Sequence, residues 1–320
     1  MTVTNNADFA DGAGAGITLD DTYNFGSLTF NSTGAVEIDE SSATVLSGVS
    51  TADSLDLDST GSITDDGTAD VTVTNNARFD GTTITLDDTY AFGSLTFAGT
   101  GAVTVVEDDG TVLSGTSTAN TLDLDSGGAI GDDGTANVTV TGNADFADAG
   151  GSGITLDDTY NFGTLTFNPT GAVAISEVSG TVLRGASTAD SLDLDSGGAL
   201  TDDGTANLTV TNNADFAGTS ITLDDTYAFG TLTFNSSGSV VISENGATVL
   251  SGTSTAGSLD LDSTNSITDD GTSDLTVTGN ADFADGGGAG ITLDGALALG
   301  SLTFNSTGAV AIDEDDATQL

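Results

Sequence analysis

The stretch that decides the fold is residues 208–234, which read LTVTNNADFAGTSITLDDTYAFGTLTF. Short triplets at 208–210, 221–223 and 232–234 each place two apolar residues around a polar one. This period-two alternation, carried by Thr, Val, Ile, Leu and Phe, predicts β-strands. Gly, Asn, Asp and Ser lie between the triplets, where a coiling chain must turn. The chain shows no 3.6-residue periodicity, so we expect an all-β protein.

The same succession of motifs returns along the whole chain. Its first strand begins at Met1, Val71, Val138, Leu208 and Leu275, so the interval alternates between 70 and 67 residues. Such a period is typical of repeat proteins whose units stack on one another. We therefore predict one continuous solenoid over residues 1–320. Its repeats are 1–70, 71–137, 138–207, 208–274 and an incomplete 275–320.

Nine triplets per repeat can be coiled three to a turn, which gives about three coils of about 22 residues each. In the fourth repeat this threading predicts three columns of strands, LTV/YAF/TVL, ADF/LTF/LDL and ITL/VVI/SIT. The long repeats differ by a Gly-rich segment such as 10–16, which we expect to be an exposed loop. A row of small β-sandwich domains is the alternative, but such domains typically need about 100 residues and longer strands.

Composition limits the partners and the reactions. The chain has 44 Gly, one Pro, no Cys and no His, and its basic residues are Arg78 and Arg184. The net charge of −47 opposes binding to nucleic acid. We expect no membrane insertion, because the sequence has no apolar run of the length that spans a bilayer. Disorder is disfavoured because 37% of the residues are hydrophobic and follow a strict pattern.

The recurring aspartates are first explained as a solvated surface that keeps a Thr-rich β-protein soluble. A sharper hypothesis is calcium binding in the run 58–67, which offers carboxylates, hydroxyls and a Gly turn. The run lacks the spacing of an EF-hand and of calcium-binding β-rolls. The candidate ligands are Asp58, Asp65, Asp66, Asp125, Asp132, Asp133, Asp195, Asp202, Asp203, Asp262, Asp269 and Asp270.

Two other specialised functions are disfavoured. Outward pairs such as Thr72 and Thr74 could form an ice-binding array, but the predicted column interrupts them with YAF and TVL. Glycan hydrolysis needs two positioned carboxylates, and here the acid pairs recur identically in every repeat. We therefore predict no enzyme activity, no catalytic residue and no required cofactor, with calcium as the one candidate cation.

The succession ATVLSGxSTAxSLDLDSxGxITDDGxxxLTVTxNADF…ITLDDTYxFGxLTFNSTGAVxI resembles the repeats of bacterial filamentous-haemagglutinin-like large exoproteins. The resemblance extends over essentially the whole chain, although the secretion domain of such proteins is missing from these residues. It implies a right-handed parallel β-helix, export from the cell and use as a long surface stalk in adhesion or biofilm.

We accordingly expect a rigid stalk segment of a secreted or cell-surface adhesin, whose ligand in the matrix or on another cell binds outside this segment. The alternative is an extracellular filament or sheath subunit that associates with itself end to end, stabilised by calcium. Local function, if present, is expected where the repeat pattern breaks: at Arg78, Arg184, Pro169 and the altered fifth repeat around 294–299.

Overall fold

The computed structural model describes residues 1–314, so the last residues of the fifth repeat lie outside it. Within these residues the regular elements are strands, and no helix suited to crossing a membrane is present. The chain divides into two compact units, Met1–Gly163 and Thr164–Leu320. In each unit parallel strands stack into coils, so the predicted all-β solenoid with about three coils per repeat is confirmed.

The strands numbered β1 to β17 are Thr2–Asp11, Ile17–Ser32, Val36–Glu40, Thr44–Leu46, Val49–Ala52, Leu55–Ser59, Ile63–Asp65, Asp70–Gly81, Ile84–Leu86, Thr89–Gly99, Ala102–Glu107, Thr111–Leu113, Thr116–Ala119, Thr121–Ser126, Ile130–Asp132, Asn137–Asp148 and Ile154–Phe167. The strands β18 to β34 are Val173–Glu177, Thr181–Leu183, Ala186–Ala189, Leu192–Ser196, Ala199–Asp202, Asn207–Gly218, Ser220–Leu223, Thr226–Ser236, Ser239–Glu244, Thr248–Leu250, Thr253–Ala256, Ser258–Ser263, Ile267–Asp269, Asp274–Asp285, Ile291–Leu293, Ala296–Ser306 and Val310–Ile312.

The pairing register follows one rule at most positions, in which a strand segment lies beside the segment three places further along the chain. In the second unit Leu208 pairs with Tyr227, Ala214 with Leu232, and Ile221 with Val240. These are the predicted pairs LTV–YAF, ADF–LTF and ITL–VVI, which are confirmed. The rule arises because three segments complete one coil, so that the fourth begins directly beside the first.

Three of the predicted column assignments are wrong. The strand TVL does not pair with YAF, because its Leu250 lies opposite Leu232 of LTF. The strands LDL and SIT are misplaced because the threading omitted a strand. The segment TSTA forms β28 (Thr253–Ala256), and its Thr255 lies opposite Asn235 at the end of the LTF strand. The strand LDL is thereby displaced and pairs with VVI, as Leu259 does with Val240. The strand SIT pairs with TVL through Ile267 and Thr248. Ser and Thr dominate TSTA, so its apolar signal in the sequence is weak.

The added strand changes which face each motif occupies. The strands β8 to β15 supply ten segments per repeat, because β8 and β10 are each divided by a bulge and serve two faces. Ten segments at three per coil make three coils and one further segment. The column through Leu192 therefore continues to Ala214 and Leu232, whereas the next LDL strand, at Leu259, stacks in the column of Val240. Identical motifs of successive repeats occupy different faces.

In the core, apolar side chains of one coil stack on apolar side chains of the next. Leu57 lies opposite Phe79, and Phe79 lies opposite Phe97, and all three side chains are fully buried. Alternate residues on the same strands point to solvent, which explains the period-two pattern of the sequence. Burial of each such side chain contributes about 1.5–3 kcal/mol relative to an exposed one.

A glutamate side chain closes the bulge in four strands of the YAF–LTF type. The register shifts between Phe92 and Ser94, which leaves the Phe92 N–H without a strand partner. Glu107, with 1% of its surface exposed, accepts this N–H at 2.8 Å and the Thr111 hydroxyl at 2.7 Å. A side chain at Gly93 would collide with the carbonyl oxygen of Thr74, so only glycine fits the bulge. Equivalent bonds are made by Glu40 to Phe25, Glu244 to Phe229 and Glu314 to Leu299.

The Gly-rich insertion of the long repeats is organised around a carboxylate. Asp148, which is 2% exposed, accepts the N–H groups of Gly150 at 2.8 Å, Gly151 at 3.1 Å and Gly153 at 2.5 Å. Gly151 and Gly153 have φ of 69° and 96°, which residues with a side chain rarely adopt. The position is Asp in long repeats and Gly in short ones: Asp11, Asp148 and Asp285 against Gly81 and Gly218. The loop is therefore more tightly built than the sequence predicted.

We predict that Glu107→Leu lowers the free energy of unfolding by about 1–3 kcal/mol, because the buried Phe92 N–H then loses its acceptor. Glu107→Gln should cost less, since an amide oxygen can still accept that bond. Urea denaturation followed by circular dichroism measures both variants. Equal losses for Leu and Gln would show that the hydrogen bond does not stabilise the bulge.

The same glutamates predict the pH dependence of stability. Burial raises the pKa of Glu107 to about 7 from its ordinary 4.5, and burial also raises the pKa of Glu244. A carboxyl with a raised pKa binds more protons in the folded state, so its stabilisation is complete at low pH and is lost as pH rises through the folded pKa.

The thermal midpoint should therefore fall between about pH 5 and pH 8, and fall less in Glu107→Gln. Below about pH 3.8 the trend should reverse, because hydrogen bonds from Thr68 and from the Gly290 N–H lower the pKa of Asp66 and Asp285. Identical slopes for wild type and Glu107→Gln above pH 5 would contradict the assignment to Glu107.

Candidate functional site

Three groups of carboxylates, the corner groups, lie at turns between strands in residues 1–314. They are Asp65 with Asp87 and Asp88, Asp132 with Asp157 and Asp158, and Asp202 with Asp224 and Asp225. In each group one oxygen per residue lies within 4.8 Å of the others. The strand register brings them together, because Ile63 pairs with Ile84. Asp65 ends the first of these two strands, and Asp87 and Asp88 directly follow the second.

Hydrogen bonds already engage much of each group. Asp65 Oδ2 accepts the Asp87 N–H at 2.8 Å and the Tyr90 hydroxyl at 2.9 Å, and Asp88 Oδ2 accepts the Ala69 N–H at 2.9 Å. The Tyr90 ring is fully buried, and burial together with the Asp65 charge raises the pKa of its hydroxyl. The group therefore anchors the LDDTY turn to the core while leaving further carboxylate oxygen lone pairs available to a cation.

The calcium candidates predicted from the sequence are divided among three places. The members of the first set are the penultimate residues of β6, β14, β21 and β29: Asp58, Asp125, Asp195 and Asp262. The second set ends the next strand and joins the corner groups in its first three members: Asp65, Asp132, Asp202 and Asp269. The third set lies in the following turn: Asp66, Asp133, Asp203 and Asp270.

The turn aspartates do not belong to the corner groups found in residues 1–314. Asp66 instead accepts the N–H of Thr68 at 3.0 Å and its hydroxyl at 2.6 Å, which lowers the pKa of Asp66. Sequence reasoning overlooked Asp87, Asp88 and Tyr90 as partners of Asp65. The recurring LDDTY motif carried the signal, but only the coil register shows that it lies beside the end of the preceding coil.

The fifth repeat keeps part of this corner and loses the rest. Asp269 Oδ2 accepts the N–H groups of Asp294 at 2.7 Å and Gly295 at 3.1 Å. A hydrogen bond with Asp269, followed by the charge of Asp269, raises the pKa of Asp294. Gly295 and Leu297 replace the second acid and the tyrosine of the other repeats. The fifth repeat therefore lacks the hydrogen bond from a tyrosine hydroxyl to the strand-end aspartate.

A second acidic surface lies on the LDLD strands. Within the first unit Asp56 and Asp58 stand opposite Arg78 and Asp80 of β8. The Arg78 guanidinium reaches Asp56 at 2.6 Å, Asp58 at 2.5 Å and Asp80 at 2.8 Å. Arg184 makes a longer contact of 3.5 Å with Asp203. Of the predicted breaks in the repeat, Arg78 is thus an organising residue of this surface.

Four segments of the chain match a family described as "Repeats of unknown function (DUF5649)". The matched residues are 33–98, 100–168, 170–233 and 237–298. Their starting points reproduce the alternating period of 67 and 70 residues read from the sequence. No curated protein and no solved structure matches the chain.

Calcium binding at the corner groups stays a prediction, and the melting temperature tests it. If the groups bind Ca²⁺ specifically, Ca²⁺ should raise the thermal midpoint more than Mg²⁺ at equal ionic strength, because Mg²⁺ demands a stricter geometry. The triple variant Asp87→Asn, Asp157→Asn, Asp224→Asn should lose that difference. Equal effects of the two ions on the wild type would contradict specific sites.

Proposed function

Since the chain belongs to the DUF5649 family of repeats, for which no function is known, we propose a function from the structure alone: a rigid spacer in a secreted or cell-surface protein. The observation that carries this proposal is the pairing rule, which each unit keeps from coil to coil. A stack of this kind lengthens by one strand spacing, about 4.8 Å, for each added coil. Repeat number then sets length, which is what a spacer requires.

Stiffness within a unit has an identifiable cause. Backbone hydrogen bonds link each coil to the next, and the points where strands bend are closed by buried side chains. Glu107 accepts a hydrogen bond from the Phe92 N–H at the bulge, and Asp148 accepts hydrogen bonds from the N–H groups of the Gly-rich loop. Bending a unit would break such buried bonds, each at a net cost of about 1–3 kcal/mol.

The surface chemistry supports a location outside the cell in an adhesin-like protein. The charge of −47 leaves the exterior rich in carboxylates that are well hydrated and resist edge-to-edge association of β-strands. Cysteine is absent from the sequence, and the buried stack of Leu, Ile and Phe provides the core that disulfides supply in small secreted domains. In this proposal the ligand that the adhesin recognises binds elsewhere than on these repeats.

The recurrence of every acidic group supports a structural function over a catalytic one. The corner groups have the same composition in three repeats, and each is tied to the same tyrosine hydroxyl and backbone N–H. A reaction centre needs groups whose pKa values differ in a way that separates acid from base. Repeated identical groups favour a mechanical function.

We predict that inserting a second copy of residues 71–207 after Asn207 lengthens the protein by about 30 Å at constant cross-section. The block contributes twenty segments, or nearly seven coils, at about 4.8 Å each. Small-angle X-ray scattering gives both the maximum dimension and the cross-sectional radius of gyration. A flexible Gly/Ser insertion of equal length is the control, because it should not preserve the cross-section.

An unchanged maximum dimension would contradict the spacer. Fibres that form in a concentration-dependent way, one coil wide, would support instead the alternative of an extracellular filament assembled end to end.

A further inference from the structure

The LDLD strands place like charges directly opposite one another. In the second unit Asp193 pairs with Asp215, and Asp195 lies two residues along the same face. Opposed side chains on neighbouring strands are only about 5 Å apart, and like charges at that distance are destabilising. Burial, followed by the charges of Asp193 and Asp195, raises the pKa of Asp215. A groove of about 290 Å³ runs past Asp193, Asp215 and Asn213.

The first copy of the motif shows which group neutralises this arrangement. There Arg78 occupies the position of Asp215, and its guanidinium bridges Asp56 and Asp58, which are equivalent to Asp193 and Asp195. The two aspartates of the motif are therefore already seen holding a cationic group. The geometry of that contact, two strands spanned by one planar fork, is specific to arginine.

The other copies in the described residues have an acid where Arg78 stands. They consist of Asp123, Asp125 and Asp145; Asp193, Asp195 and Asp215; and Asp260, Asp262 and Asp282. The chain's other arginine, Arg184, lies beside Asp203. A positively charged side chain that bridges the aspartates of these three copies, as Arg78 does in the first, therefore comes from another molecule.

The spacing of the acids favours a guanidinium over a metal ion. The groups of three carboxylates with oxygens within 4.8 Å in residues 1–314 are the corner groups, and the LDLD copies are not among them. A calcium ion needs its ligands at about 2.3–2.6 Å, which these strands do not converge to supply. A guanidinium has five donors and can reach carboxylates on two strands at once, as Arg78 does.

We propose that the three copies lacking an arginine are docking sites for arginine side chains of a basic partner polypeptide. Each incoming guanidinium lies across the LDLD strand and the neighbouring ADF strand, in the place that Arg78 fills in the first copy. Charge-assisted hydrogen bonds to two aspartates hold it, and the strongly negative chain speeds the encounter. The inference does not depend on the spacer function.

Successive copies of the LDLD motif lie on different faces, and this restricts how the arginines of a partner can be arranged. In the second unit the LDLD strands at Leu192 and Leu259 lie in different columns. One straight run of arginines therefore cannot occupy both. The partner that fits presents isolated arginines, one for each site.

The test is isothermal titration of the full chain with an acetylated, amidated Gly/Ser peptide that contains one arginine. About 0.3 M NaCl screens general attraction to the acidic surface. Otherwise identical lysine and citrulline peptides are the controls. The arginine peptide should occupy three sites, and the lysine peptide should bind at least roughly fivefold more weakly, because an ammonium cannot bridge the strands as a fork does.

Variants tie the binding to the motif. Asp215→Arg installs the internal guanidinium of the first copy and should remove one site, and combining it with Asp145→Arg and Asp282→Arg should remove all three. Asp274→Arg, at an exposed residue off the motif, changes the net charge equally and should leave three sites. Arg78→Asp should add a fourth.

Equal binding of lysine and arginine peptides would overturn the proposal. So would an equal loss of sites in Asp274→Arg and Asp215→Arg. Binding of Ca²⁺ that Asp215→Arg abolishes, without peptide binding, would assign the motif to metal instead. If Arg78→Asp does not fold, as judged by circular dichroism, the Asp→Arg series decides alone.

Discussion

The architecture of this protein depends on the in-register pairing of strand segments that lie three places apart along the chain. Backbone hydrogen bonds fix that register, and the repeated sequence then places equal residues on adjacent coils. For the interior the result is favourable, because Leu57, Phe79 and Phe97 stack in contact and exclude water. For the exterior it is costly, because aspartates such as Asp193 and Asp215 are forced side by side.

A few buried or bridging polar groups offset these unfavourable contacts and the unpaired backbone N–H groups of the bulges and loops. Glu107 and Asp148 are carboxylates inside the fold, and each is retained because it accepts backbone N–H groups that bulges and loops leave unpaired. Arg78 neutralises one acidic face from within. The corner aspartates lie close to one another, and the hydrogen bonds that they accept from tyrosine hydroxyls and turn N–H groups offset their mutual repulsion. The same charged residues therefore contribute to the net charge of the protein and hold its turns and bulges in place.

The sequence predicted the elements well and their order in the stack less well. Alternation at Leu208, Ile221 and Leu232 identified strands, and their pairing with the following coil is confirmed. The strand Thr253–Ala256 was missed, because Ser and Thr at its core-facing and outward positions give no apolar alternation. That single omission displaced LDL and SIT by one face. Glu107 was missed as a core residue for a related reason, since a charged side chain is ordinarily expected in solvent.

By itself the sequence determined that the protein is an all-β repeat solenoid. The repeat length, the alternation of apolar and polar residues and the turn residues can all be read locally, and they recur in each repeat. It also determined the acidic surface and the places where the pattern breaks. Only the tertiary structure decided which motifs become neighbours. Whether Asp65 meets Asp87 or Arg78 meets Asp58 depends on the number of segments in a coil and in a repeat. Ten segments do not divide evenly into coils of three, and this remainder is visible only once every segment, including the weakest, has been placed.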